Sequence, residues 1–194
     1  MSNFVYQPIF EEASIKREYR ILTSDYVSVT KFQGRDVLVV DPQALVVLSK
    51  AAIQDVSHLF RSAHLEQLKK ILEDEAASAN DKFVASELIK NAIISAEREF
   101  PSCQDTGTAI VMAKKGEQVY TGADDSRFLS EGIYQAFQES NLRYSQVAPL
   151  SMFEEVNTKT NLPAQIDIYA ATGDEYKFLY VTKGGGSANK TFLF

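Results

Sequence analysis

In Pro101-Ser102-Cys103-Gln104-Asp105-Thr106-Gly107-Thr108 a thiol is followed directly by an amide, a carboxyl and two hydroxyls. Cys103 is the only cysteine of the chain. A thiolate can serve as nucleophile or metal ligand, and a neighbouring carboxylate can exchange protons with a bound reactant. A second such stretch lies far downstream, Lys183-Gly184-Gly185-Gly186-Ser187-Ala188-Asn189-Lys190. Its three glycines allow backbone amides to approach an anion closely. Arg143, between the two, carries a planar fork suited to a carboxylate, although an ordinary surface arginine is the plainer reading of that residue alone. We expect the two loops to meet and the rest of the chain to hold them.

Several sharper readings of these residues fail on their own chemistry. Asp105-Thr106-Gly107 matches the tripeptide of pepsin-like proteases, but that mechanism needs two carboxylates sharing a proton, and no second copy is present. Gly184 to Lys190 falls one residue short of a Walker A phosphate loop, because Asn189 stands where glycine is needed. A phosphate- or nucleotide-binding module therefore stays as an alternative, beside a flexible turn. His58 and His64 have no cysteine or carboxylate cluster at ligand spacing, so structural roles suit both. Glu73-Asp74-Glu75 reads as a solvated helix end. Cys103 could also be a buried small hydrophobe in a non-catalytic interaction domain.

The elements that must position these loops follow from pattern. Residues 1–18 show little periodicity. Residues 19–23, 27–30 and 37–40 read as three short strands of a meander, with turn residues at Ser24-Asp25 and Gln33-Gly34. Asp41-Pro42 opens a helix whose apolar residues Leu45, Leu48, Ala52, Val56 and Leu59 keep helical spacing. A second helix spans roughly 63–72. A third starts from a cap at Ser78 and runs towards Pro101. A strand over 108–113 is expected to turn at Lys114-Lys115-Gly116-Glu117 into a hairpin partner at 118–121. A fourth helix covers 126–139, followed by a long polar connection over 141–163, a length uncommon without a function. Strands 165–171 and 176–182 flank the turn at 172–175 and lead into the glycines. The expected fold is mixed α/β (α+β): a helical layer from residues 41–100 packed on a mixed β-sheet.

Composition bounds the rest. A chain of 194 residues predicts one domain or a compact pair with a real core. A net charge of -6 disfavours sequence-independent nucleic-acid binding, which needs a basic face. No apolar run is long enough for a membrane span, and residues 1–6 do not read as a signal peptide. A single cysteine forms no internal disulfide, which makes a reducing cytoplasm the expected compartment. The terminal Phe192-Leu193-Phe194 reads as a cut through an element, and we expect a piece of a larger protein.

Four strings taken in order resemble one family, the iron–sulfur class I fumarases and related hydro-lyases such as tartrate dehydratases. They are residues 102–109 around Cys103, Asn141-Leu142-Arg143-Tyr144-Ser145, the pair 155–158 and 161–167, and Lys183 to Thr191. The likeness extends over nearly the whole chain. It implies reversible hydration of fumarate to L-malate at a 4Fe–4S cluster, with Cys103 as one cluster ligand. Gln104, Asp105, Arg143 and Gly186 would contact the dicarboxylate, and Asp105 would take part in proton transfer. The resemblance makes residues 1–194 the N-terminal, alpha-type domain of such an enzyme, with the other cluster cysteines in sequence that is absent. One thiolate cannot hold a cubane cluster, so the chain alone is expected to lack the cluster and to be inactive. A homodimer of the full-length enzyme is implied as well, and a tartrate dehydratase-like activity is the alternative within the family.

Overall fold

The computed structural model describes residues 4–6, 19–102 and 107–183. In chain order the elements are β1 (Val27–Phe32), β2 (Arg35–Val40), α1 (Pro42–His58), α2 (Ser62–Glu73), α3 (Ala79–Ala96), β3 (Thr108–Gly116), β4 (Val119–Tyr120), α4 (Asp125–Glu139), β5 (Val147–Pro149), β6 (Glu155–Asn157), β7 (Gln165–Ala171) and β8 (Tyr176–Lys183). The architecture is α+β, as expected.

Local chemistry starts and stops these elements. Asp41 accepts a hydrogen bond from the Gln43 amide at 2.8 Å while Pro42 occupies the first turn, so α1 begins with two favourable residues in succession. Ser78 and Asp81 form a reciprocal capping box at the start of α3. Those bonds from Ser78 hold the Asp81 carboxyl below the usual carboxylate range. Gln33 and Gly34 both take positive φ, 48° and 80°, and close the β1–β2 turn. The third helix stops at Ala96, short of Pro101, and Arg98 turns the chain with φ 67°.

The central sheet has the order β7-β3-β8, with β3 parallel to β7 and antiparallel to β8. Its inner face carries Ala109 and Val111, which pack with Leu45 and Ile53 of α1, and Leu129, Ile133, Ala136 and Phe137 of α4. A helical layer does cover this mixed sheet, but its membership differs from the expected run of residues 41–100. The helices over the sheet are α1 and α4, whereas α2 and α3 pair with each other and contribute nothing to that central cluster. The reason lies in side-chain shape as much as in hydrophobicity. Gly132 of α4 lets the helix backbones approach, since a Cβ there would stand 2.6 Å from Ser49 Cβ and even closer to the Val46 carbonyl.

Two further expectations are overturned. Residues 19–23 form no strand: Tyr19 and Ile21 lie 87% and 89% exposed, and Arg20 reaches Asp55 instead at 2.7 Å. The hairpin over 108–121 is also absent. Both edges of β3 are occupied, by β7 and β8, so β4 has no edge to join there and pairs in parallel with β2. The chain leaves β3 through bonds from the Gly116, Glu117 and Gln118 amides to the Glu175, Ala171 and Gly173 carbonyls. The long connection after α4 contains a small antiparallel pair, β5–β6, which its polar composition concealed.

Candidate functional site

Of the residues singled out by sequence, Arg143 belongs to the described part of the structure. Cys103, Gln104, Asp105 and Gly186 lie outside the described residues, as does the Gly184–Lys190 stretch. The site is therefore built from the residues that bracket them.

On the entry side of the cysteine segment, the buried Ser102 donates its amide to the Ser57 carbonyl at the end of α1, at 2.9 Å. On the exit side, the carbonyl of Gly107 accepts from Asn161 Nδ2 at 2.9 Å. Gly107 has φ 45°, a conformation that glycine adopts without steric cost. Thr108 then donates from Oγ1 to Gln146 Oε1 at 2.8 Å and opens β3. In the antiparallel register, Thr108 faces Lys183, the last residue before the glycines. The strand that follows the cysteine and the strand that precedes the glycines thus end side by side.

Arg143 is exposed, but its neighbours are not loose. Leu142 is buried in the central cluster. Tyr144 donates from its hydroxyl to the Phe137 carbonyl at 3.3 Å, and its own carbonyl accepts from Asn157 Nδ2 at 2.6 Å. The amides of Ser145 and Gln146 both donate to Asn161 Oδ1, at 3.2 and 3.1 Å. Asn161 is fully buried and holds the Arg143 connection and the Gly107 carbonyl at once. Sequence reasoning gave Asn161, Gln146 and Asn157 no role. A buried asparagine with bonds to segments far apart in the chain leaves no periodic signal.

The remaining titratable groups divide by environment. His58 is buried, with Nδ1 bonded to the Gln54 carbonyl at 2.8 Å. His64 stacks on Phe60 with ring centroids 5.7 Å apart. At the far end of β3, Lys115 donates to Asp125 and Thr121, and Tyr176 donates to Asp125 at 2.8 Å. Burial works against the Asp125 charge, but bonds from Lys115, Thr121 and Tyr176 outweigh it and keep the carboxyl below its ordinary range. Burial and the Asp125 charge push the Tyr176 hydroxyl upward. Lys115 is seven residues along the strand from Thr108, about 23 Å at the usual rise per residue. This cluster ties β3, α4 and β8 together, away from the two loops.

The donor set also bears on metal binding. The chain brings one thiol, and no group of three or more His, Cys, Asp or Glu among the described residues could share a metal ion. An iron–sulfur cubane requires several thiolates, so these residues do not by themselves fit one. No helix among the described residues is long and apolar enough to cross a membrane.

The family model described as "Fumarate hydratase (Fumerase)" matches residues 47–194. The chain is 55% identical to "Fumarate hydratase class I, anaerobic" of Escherichia coli, and 54% identical to "Fumarate hydratase 1, mitochondrial" of Leishmania major. Each of those matches covers 100% of this chain and 36% of the relative. A "Putative L(+)-tartrate dehydratase subunit alpha" of Methanocaldococcus jannaschii is 30% identical, over 71% of this chain and 52% of its own length. The chain spans roughly a third of the length of the fumarate hydratases it matches so well, and on the family match over residues 47–194 it belongs to the fumarate hydratase (Fumerase) family.

Proposed function

We propose that this chain forms the N-terminal part of a 4Fe–4S hydro-lyase that hydrates fumarate reversibly to L-malate. In this reading Cys103 supplies one thiolate to a cluster whose other thiolates come from sequence outside these 194 residues. Gln104, Asp105, Arg143 and Gly186 contact the dicarboxylate. Hydration adds a hydroxyl to one carbon of the double bond and a proton to the other. The Asp105 carboxylate exchanges the proton at the hydroxyl, while the Arg143 fork and glycine-rich amides carry the negative charge of the substrate. The cluster, when present, would supply Lewis acidity. The chain alone is inactive because its donor set is incomplete.

The single observation that carries this reading is the register of β3 and β8, with Thr108 opposite Lys183. It supports a shared site because the strand ends leading to Cys103 and to Gly186 are neighbours. We extend the proposal to a reducing cytoplasm, in keeping with one cysteine and no internal disulfide. We propose a homodimer of the full-length enzyme as well, as the family resemblance implies. The tartrate dehydratase relative supports a second substrate reading, tartrate in place of malate.

Anaerobic reconstitution with iron and sulfide tests the proposal, applied to the full-length polypeptide and to this chain. Visible absorption of a cluster and loss of the fumarate absorbance are expected in the full-length protein alone, and both vanish in Cys103→Ser. Turnover of tartrate but not fumarate would transfer the activity to the second substrate. A full-length protein with neither cluster nor hydratase activity would overturn the assignment.

A further inference from the structure

We infer that Asn161 is a positioning residue, which fixes the Arg143 connection against the exit side of the cysteine segment. The inference rests on the reading of Arg143 and the Cys103 segment as one substrate site. Asn161 has no exposed surface, and its φ of 55° lies in the left-handed region that asparagine tolerates better than most residues. Its side chain is used from both ends. Oδ1 accepts from the Ser145 and Gln146 amides, while Nδ2 donates to the Gly107 carbonyl.

That division of labour matters for geometry. Ser145 and Gln146 follow Arg143 by two and three residues, and Gly107 follows Asp105 by two. The same amide therefore holds both branches close to the proposed substrate contacts. Gln146 adds a second tie across the same gap through its bond from Thr108 Oγ1. A carboxylate clamp works only when its cationic fork is at a defined distance from the groups that act on the rest of the substrate, so a small displacement weakens binding and orientation together. A surface asparagine could not do this, because water would compete for each of its bonds.

Asn161→Asp separates the two ends. It keeps an oxygen for the Ser145 and Gln146 amides and replaces the donor facing Gly107 with a second acceptor. Asn161→Gly keeps the backbone conformation and removes all three bonds. In the full-length polypeptide, amide hydrogen exchange over residues 101–108 should accelerate roughly tenfold or more in Asn161→Asp, with residues 142–148 near their native rates. Both segments should accelerate in Asn161→Gly. The KM for fumarate should rise roughly tenfold in Asn161→Asp, with a smaller change in kcat. Asp125→Asn, at the far end of β3, serves as the destabilised control and should leave both the 101–108 exchange and the KM at native values.

If Asn161→Asp lowers thermal stability as Asp125→Asn does but leaves the exchange over 101–108 native, Asn161 is a core residue only and the inference falls. A native full-length protein without hydratase activity would overturn the fumarate assignment instead. The exchange measurement would still decide the coupling: faster exchange over 101–108 upholds it, and native exchange overturns it.

Discussion

Thr108 stands opposite Lys183, the first residue of β3 against the last described residue of β8. This pairing makes two stretches separated by some seventy residues of chain into neighbours, and it follows from β8 running antiparallel to the central strand. A parallel β8 would have sent the glycines to the Lys115 end of the sheet.

Arg143→Lys tests the clamp directly. Arg143 is exposed, so the substitution should leave the unfolding transition nearly unchanged. Lysine keeps the charge but loses the bidentate fork, and the KM for fumarate in the full-length enzyme should rise about 10- to 100-fold. Steady-state kinetics check it, and an unchanged KM would remove Arg143 from the site.

Gly132→Ala should be costly although alanine is the better helix former. The new methyl group would press on the Val46 carbonyl and stand 2.6 Å from Ser49 Cβ, where α4 crosses α1. Overpacking of this kind costs about 1–3 kcal/mol, which a denaturant titration would read as a lower midpoint. A stabilised variant would mean that the two helices can move apart freely.

Asp125→Asn removes the charge at the centre of the Lys115, Thr121 and Tyr176 bonds. Breaking a fully buried ion pair is strongly destabilising, and the 25% exposure of the Lys115 side chain softens the effect to about 2 kcal/mol at neutral pH. The folded carboxyl titrates below the ordinary aspartate range, so its stabilisation is complete above that range and is lost as pH falls through the folded value. The gap between native protein and variant should therefore be constant from neutral pH to about pH 5 and shrink below about pH 4. A gap that widened in acid would contradict the assignment.

Tyr180→Phe isolates the bond that joins α1 to β8. Ser49 is fully buried and shares a 2.7 Å bond with the Tyr180 hydroxyl, whose titration is pushed upward by burial. Removing that hydroxyl leaves the serine unsatisfied, at a cost of about 1–2 kcal/mol. The double variant with Ser49→Ala should lose less than the sum of the single losses, as a double-mutant cycle by denaturation would show.

The sequence by itself determined the elements whose signals are local. The Asp41-Pro42 and Ser78 caps, the Gln33-Gly34 turn and the strands around residues 172–175 all appear where pattern places them. Motif order also pointed to the family that the comparisons show. Local pattern misjudged which helices cover the sheet and where residues 118–121 pair, because both depend on which strand edges and helix backbones can come close. Gly132 and the doubly occupied edges of β3 decide those questions, and neither has a signature in a window of neighbouring residues. The same holds for the ties around the candidate site. Ser102 meets Ser57, Thr108 meets Gln146, and Asn161 meets Gly107 only once the chain has folded back over dozens of residues. Residue type and motif order could nominate the chemical groups, whereas burial of a single amide between distant segments could be settled only by the tertiary structure.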